Sequence, residues 1–178
     1  MLRQLRSIRY LGSASVFQSL VARLDYGNST LVGLPVYLQR LLQSVQNAAA
    51  RLIYRLRRSD HITDALVSLH WLRVPERNTY KVAVLTYRAQ TGDVPQYLWQ
   101  FVRVADVPSR HRLRSSTCDD LIPAVRLTYI GSRAFPVAGA RIWNTLPLHV
   151  TSASSLTVFK QRLKLHLFCF SFPGLSPV

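Results

Sequence analysis

The sequence predicts a mainly α-helical protein, an irregular helical bundle with a small β hairpin insert around residues 121–131. Three observations predict it. Apolar residues recur at three- and four-residue steps along most of the chain, the spacing that lines one face of a helix. Pro and Gly punctuate these stretches where helices start and stop. The segment LIPAVRLTYIG (121–131) has the β-branched character of a short strand or hairpin arm.

The first clear helix is expected over 36–58, with Pro35 in its first turn. Leu38, Leu41, Leu42, Val45, Ala48, Ala49, Leu52 and Leu56 make its apolar stripe. Arg51, Arg55 and Arg58 stand at i, i+4 and i+7 and so share another face. The helix must stop near Ser59 and Asp60. Thr63 reads as the N-cap of a short helix, ALVSLHWL, with Asp64 at its positive end. Pro75 opens a helix over 75–90 carrying Tyr80, Val84, Leu85 and Tyr87, and Gly92 ends it. Pro95 starts another short helix through about Val102. Residues 106–120, DVPSRHRLRSSTCDD, show no period and read as an exposed basic loop. A helix within SRAFPVAGARIWNTLP (132–147) ends before Pro147. Ser154 or Ser155 caps the last helix, with Leu156, Phe159, Leu163 and Leu167 inward and Lys160, Arg162 and Lys164 outward. No internal repeat is present.

Length and composition fit one domain with a real core. A chain of 178 residues can bury roughly 70% of its unfolded surface, and 48% apolar residues argue against wholesale disorder. The abnormal quantity is charge: 23 basic against 8 acidic residues give +15, and 20 of the 23 are Arg. Such a surplus implies an anionic partner, of which the RNA or DNA backbone is the commonest. The Arg fork gives phosphate two parallel hydrogen bonds. Codon composition is the competing source of the Arg excess. Cys118 and Cys169 are far apart and specify neither a disulfide framework nor a zinc site. No apolar run reaches the ~18–20 residues of a membrane span, so no membrane partner is expected.

For phosphate contact the leading candidates are Arg51, Arg55, Arg57 and Arg58, then Arg110, Arg112 and Arg114. The second group alternates, and would line a phosphate track if its segment is extended. A solvated helix face and a solvated loop remain the plain alternatives.

Catalytic signals are poor. The string TCDD (117–120) superficially resembles the aromatic-x-Asp-Asp turn that holds metal ions in reverse transcriptases. Its first residue is Thr rather than aromatic, its flank is an Arg/Ser loop, and no third carboxylate is in view. Asp60 with His61, and His70 beside Trp71, are polar pairs; His70 reads as a partly buried packing residue. No Gly-rich phosphate loop, HExxH or GxSxG occurs. With one Glu and seven Asp, carboxylates for metal-dependent phosphoryl chemistry are scarce. The reading is a non-enzyme with no catalytic, metal or cofactor residues and no small-molecule substrate.

Together these phrases form a recognisable run. LDYGNSTLVGLP (24–35), LQSVQNAAARLIYRLRRSDHIT (42–63) and LHWLRVPERNTYKVAVLTYRAQTGDVPQYL (69–98) resemble the region after the palm in LINE-type (non-long-terminal-repeat) retrotransposon reverse transcriptases. The resemblance continues through LRSS (113–116), RAFPVAGARIWNTLP (133–147) and SSLTVFKQRLKLHLF (154–168), in the family's order. It implies a helical thumb-like region over 1–105, a basic loop over 106–120, and a C-terminal extension over 121–178 with a short β element and the terminal amphipathic helix. In the family the palm, with its metal-binding Asp residues, and an endonuclease domain lie upstream. The expectation is therefore a catalytically incomplete C-terminal fragment that holds RNA or DNA independently of sequence, its ancestral packing partner being the absent palm.

Three departures from the family pattern stand out. Gly27 replaces a Cys, Arg73 replaces the Pro that commonly follows HWL and puts a charge near a packed turn, and FQSLVARLDY is several residues short. These point to a drifting copy, so the alternative is a remnant without molecular function that exposes once-buried apolar surface. A third alternative is a host basic protein imported into mitochondria, because the first 24 residues are rich in Arg and Ser and free of acid. The resemblance of LRQLRSIRYL to the family's own basic helix gives that composition another origin, with nuclear or cytoplasmic residence.

Overall fold

The computed structural model describes residues 31–98, 101–107, 120–123 and 134–174. Among them are six helices and one two-stranded antiparallel sheet, so the chain is mainly α with a small β element. In order these are α1 (Val36–Ile53), α2 (Thr63–Ser68), α3 (Val74–Gln90), β1 (Val102–Arg103), β2 (Leu121–Ile122), α4 (Phe135–Thr145), α5 (Leu148–Thr151) and α6 (Leu156–Ser171).

α3 is the central helix, packed against α4 and α6, with α1 on a further side. Its N-terminus is set by Pro75 at a first-turn position, where a missing N–H costs nothing. Gly92 ends it at φ 77°, and the Asp93 amide reaches back to the Arg88 carbonyl at 2.9 Å. Tyr87 of α3, Trp143 of α4 and Phe159 of α6 meet at the centre. Phe159 stacks on Tyr87 at 4.5 Å and on Trp143 at 5.8 Å, and it is fully buried. The Tyr87 hydroxyl donates to the Ala153 carbonyl at 3.1 Å, which offsets the desolvation of its polar end. This cluster joins residues from Leu72 to Leu167, so the helices before and after the basic loop share one core.

α4 approaches α3 closely at Gly139, where a Cβ would stand 2.7 Å from Thr86 Oγ1, and Val137, Ala138 and Ala140 around it are buried as well. α6 begins at Ser155, whose hydroxyl accepts the Val158 amide at 3.3 Å, and it buries Phe159, Leu163 and Leu167 as the periodicity expects. β1 and β2 pair Val102 with Ile122 and Arg103 with Leu121. The partner of the 121–122 strand thus comes from before the basic loop. Asn144 continues the pairing on the other edge: it accepts the Leu121 amide and donates to the Leu121 carbonyl, both at 2.9 Å.

Several boundaries differ from expectation. α1 stops at Ile53 rather than 58. The Leu56 amide donates to the Arg51 carbonyl at 2.9 Å and the Arg55 amide to the Leu52 carbonyl at 3.4 Å, with Arg55 at φ 53°. This is a Schellman turn with Arg in the left-handed position. Leu56 then packs on a small cluster of Ala50, Ala65, Leu66 and Phe172, and burying it favours the turn over another helical turn. α2 ends the same way. The Trp71 and His70 amides bond to the Leu66 and Val67 carbonyls at 2.9 and 2.8 Å, and His70 sits at φ 52°. LHWL is therefore mostly turn, and the helix starts at Thr63 after Ile62, without a side-chain cap. His70 is exposed rather than partly buried as expected, and Trp71 beside it is half-buried against the Ala65 and Leu66 cluster. Of the helix expected from Pro95 to Val102, the described residues form a single 3₁₀ turn, Gln96–Leu98, and Val102 belongs to β1. Arg73 is exposed and lies 5.4 Å over the Phe172 ring, so its charge is accommodated by a cation–π contact.

Candidate nucleic-acid interface

The basic phrase QNAAARLIYRLRRSDHIT has two parts with different physical roles. Its first part ties α1 to the rest of the fold. Ala49 and Ala50 are buried, which allows close approach to neighbouring helices. Gln46, also buried, donates from Nε2 to the Leu72 carbonyl at 2.8 Å. Gln43 Oε1 accepts the Val74 amide, an orphan donor at the start of α3, at 2.8 Å. Neither glutamine role was visible in the sequence, because each satisfies backbone brought alongside by folding.

The second part is the basic turn. Arg55, Arg57 and Arg58 are exposed and follow α1 within a hydrogen-bonded turn. Asp60 closes it, with Oδ2 accepting the Arg57 amide at 2.6 Å, and the Asp60 amide donates to the Arg57 carbonyl at 3.2 Å. The expected helical face of Arg51, Arg55 and Arg58 is not formed, since only Arg51 lies in α1. Instead the chain reversal gathers Arg55, Arg57 and Arg58 around one corner. Arg51 is half-buried, and its Nε is enclosed without a partner, so phosphate contact from it would run through its terminal nitrogens. Exposed guanidinium groups on a turn fixed at both ends can pair with phosphate without the backbone having to be ordered first. Arg110, Arg112 and Arg114, the basic loop over 108–119 and the Thr117–Asp119 part of TCDD lie outside the described residues. Asp120 contributes backbone: its carbonyl accepts the Val104 amide at 2.9 Å, continuing the β ladder.

Next to the turn stands a residue that the charge pattern did not single out. Tyr54, the C-cap of α1, is 43% exposed. Its signal in sequence was adjacency: an aromatic inside the run Arg51–Arg58.

Two other places hold polar groups. An open cleft of about 350 Å³ lies between the end of α3 and the sheet, lined by Gln90, Phe101, Arg103, Asp106 and Leu121 among others. Gln90 Nε2 is buried without a hydrogen-bond partner. The His149 and His166 rings sit 6.1 Å apart, and burial followed by His149 holds the His166 imidazole below its ordinary value. Among the described residues no three metal-ligating side chains converge, and no helix is long and apolar enough to cross a membrane. Compared with protein families, curated proteins and solved structures, the chain matches none.

Proposed function

We propose that this chain is a nucleic-acid-holding segment of the kind that follows the palm in LINE-type reverse transcriptases, and that it binds the RNA or DNA backbone without performing catalysis itself. The observation that carries the reading is the corner of Arg55, Arg57 and Arg58, exposed and held in a hydrogen-bonded turn beside Arg51. In a chain of net charge +15, such a corner is a place for phosphate to dock. Because backbone phosphate carries no sequence information, binding is independent of sequence and driven by counterion release.

A salt titration tests this. Affinity for RNA should fall linearly on a log–log plot. Arg57→Gln or Arg58→Gln should each reduce the steepness by about 0.7–0.9 for each phosphate left without its guanidinium. Affinity that does not change with salt counts decisively against the reading.

A second reading has its own support in exposed apolar side chains: Val36, Tyr37 and Leu41 on α1, and Leu148, Leu165 and Phe170 on α5 and α6, are each more than half exposed. Apolar surface of that extent suits a remnant shaped to pack on another domain. A purified chain that aggregates, or that melts without cooperativity, favours this second reading.

A further inference from the structure

Phosphate binding leaves one feature of the basic corner unexplained, the exposed Tyr54 ring. Its amide donates to the Ala50 carbonyl at 3.1 Å, and the next amide to the Leu52 carbonyl at 3.4 Å, so the backbone that carries the ring is fixed at the end of α1. The residue is 43% exposed, and its side chain has no hydrogen-bond or ring partner among the described residues. A single exposed aromatic is ordinary by itself. What distinguishes Tyr54 is its surroundings: the four residues on either side contain four arginines and no acid. Tyr37 and Tyr97 are more exposed, at 64% and 70%. Within the same span Tyr37 has one arginine, and Tyr97 has none and an Asp.

We propose that Tyr54 is a base-stacking platform, and that the ligand of the basic corner is single-stranded RNA or DNA rather than duplex. This rests on the reading of the corner as a phosphate site. The division of labour is chemical. Guanidinium groups hold phosphates of either form, whereas an aromatic ring can stack only on a base whose face is free. Inside a duplex both faces of each base are already stacked, so the ring gains nothing there. Every base offers a π face, so the preference is for strandedness and not for sequence.

Fluorescence anisotropy with labelled oligouridine and oligothymidine of about 15 nucleotides, and with a duplex of equal length, tests the assignment. Tyr54→Ala should weaken single-strand binding roughly ten-fold and duplex binding by no more than about two-fold. Tyr54→Leu, which keeps apolar bulk but no π face, should behave like Tyr54→Ala and stands in for it if the alanine variant fails to fold. Tyr54→Phe should retain affinity, and Tyr97→Ala should leave it unchanged. Arg57→Gln should weaken both ligands. The proposal is overturned if Tyr54 variants affect both ligands equally or neither, or if Leu substitutes as well as Phe. A chain that binds neither ligand removes the phosphate reading and this inference with it. Binding of both that depends on Arg57 but not on Tyr54 removes the inference alone.

Discussion

Replacing Gly139 by Ala sets two effects of known sign against each other. In the middle of α4, helix propensity alone favours Ala over Gly by about 1 kcal/mol. A Cβ at this position, however, would stand 2.7 Å from Thr86 Oγ1 and 2.8 Å from Phe101 Cζ, well inside van der Waals contact. Thr86 is fully buried and its hydroxyl donates to the Val82 carbonyl at 2.9 Å, so it can yield only by losing that bond or moving α3. Overpacking of this kind costs about 1–3 kcal/mol. The packing effect wins, and Gly139→Ala should destabilise by about 1 kcal/mol, lowering Tm by roughly 2–4 °C for a chain of this size. Thermal melts followed by circular dichroism measure it. In a Thr86→Ala background the tighter contact is gone and the Phe101 ring edge can swing, so the same substitution should cost about 1 kcal/mol less. A Gly139→Ala protein that melts higher than wild type, without coupling to Thr86, would refute the close approach of α4 to α3.

Other outcomes follow from single interactions. Asn144→Ala removes both bonds to the Leu121 backbone and should cost about 1–3 kcal/mol, with faster hydrogen exchange at the Leu121 amide. Ser155→Ala should cost about 1 kcal/mol by uncapping α6, read as a Tm drop of roughly 2–4 °C. Arg55→Gly should raise stability by up to about 1 kcal/mol, since Gly adopts φ 53° without strain, while the same variant binds RNA more weakly. That opposition separates loss of charge from loss of fold. For pH, the His166 imidazole lies below its ordinary value of 6.5, so the unfolded chain binds the extra proton first. Its contribution to stability is therefore full above about 6.5 and is lost as pH falls through the folded-state value. His166→Gln should flatten the Tm difference between mildly acidic and neutral buffer; an unchanged difference would show that His166 does not set it.

Elements with a strong local signal were legible in sequence. Pro75 and Gly92 bracket α3 because proline suits a first turn and glycine a left-handed C-terminal position, both short-range effects. The buried positions of α6 follow from spacing, and its cap from a serine hydroxyl within reach of Val158. The candidate site was legible in charge but not in shape. Nothing in RLIYRLRR breaks a helix, and arginine is a good helix former, so local propensity continued α1 to residue 58.

What the sequence by itself determined is the helical class, the large positive charge and the identity of the residues that face inward on α6, because periodicity and charge are additive properties of the chain. Tertiary structure decided where helices end when no Gly or Pro marks the place. Leu56 and Trp71 turn back onto a cluster completed by Phe172, more than a hundred residues further along, and that burial forces Arg55 and His70 into left-handed backbone. The same packing converts a row of arginines along a helix into a corner that follows directly on Tyr54, the C-cap of α1. The physical reason is that each turn is stabilised by apolar area contributed from a distant part of the chain, which no local pattern contains.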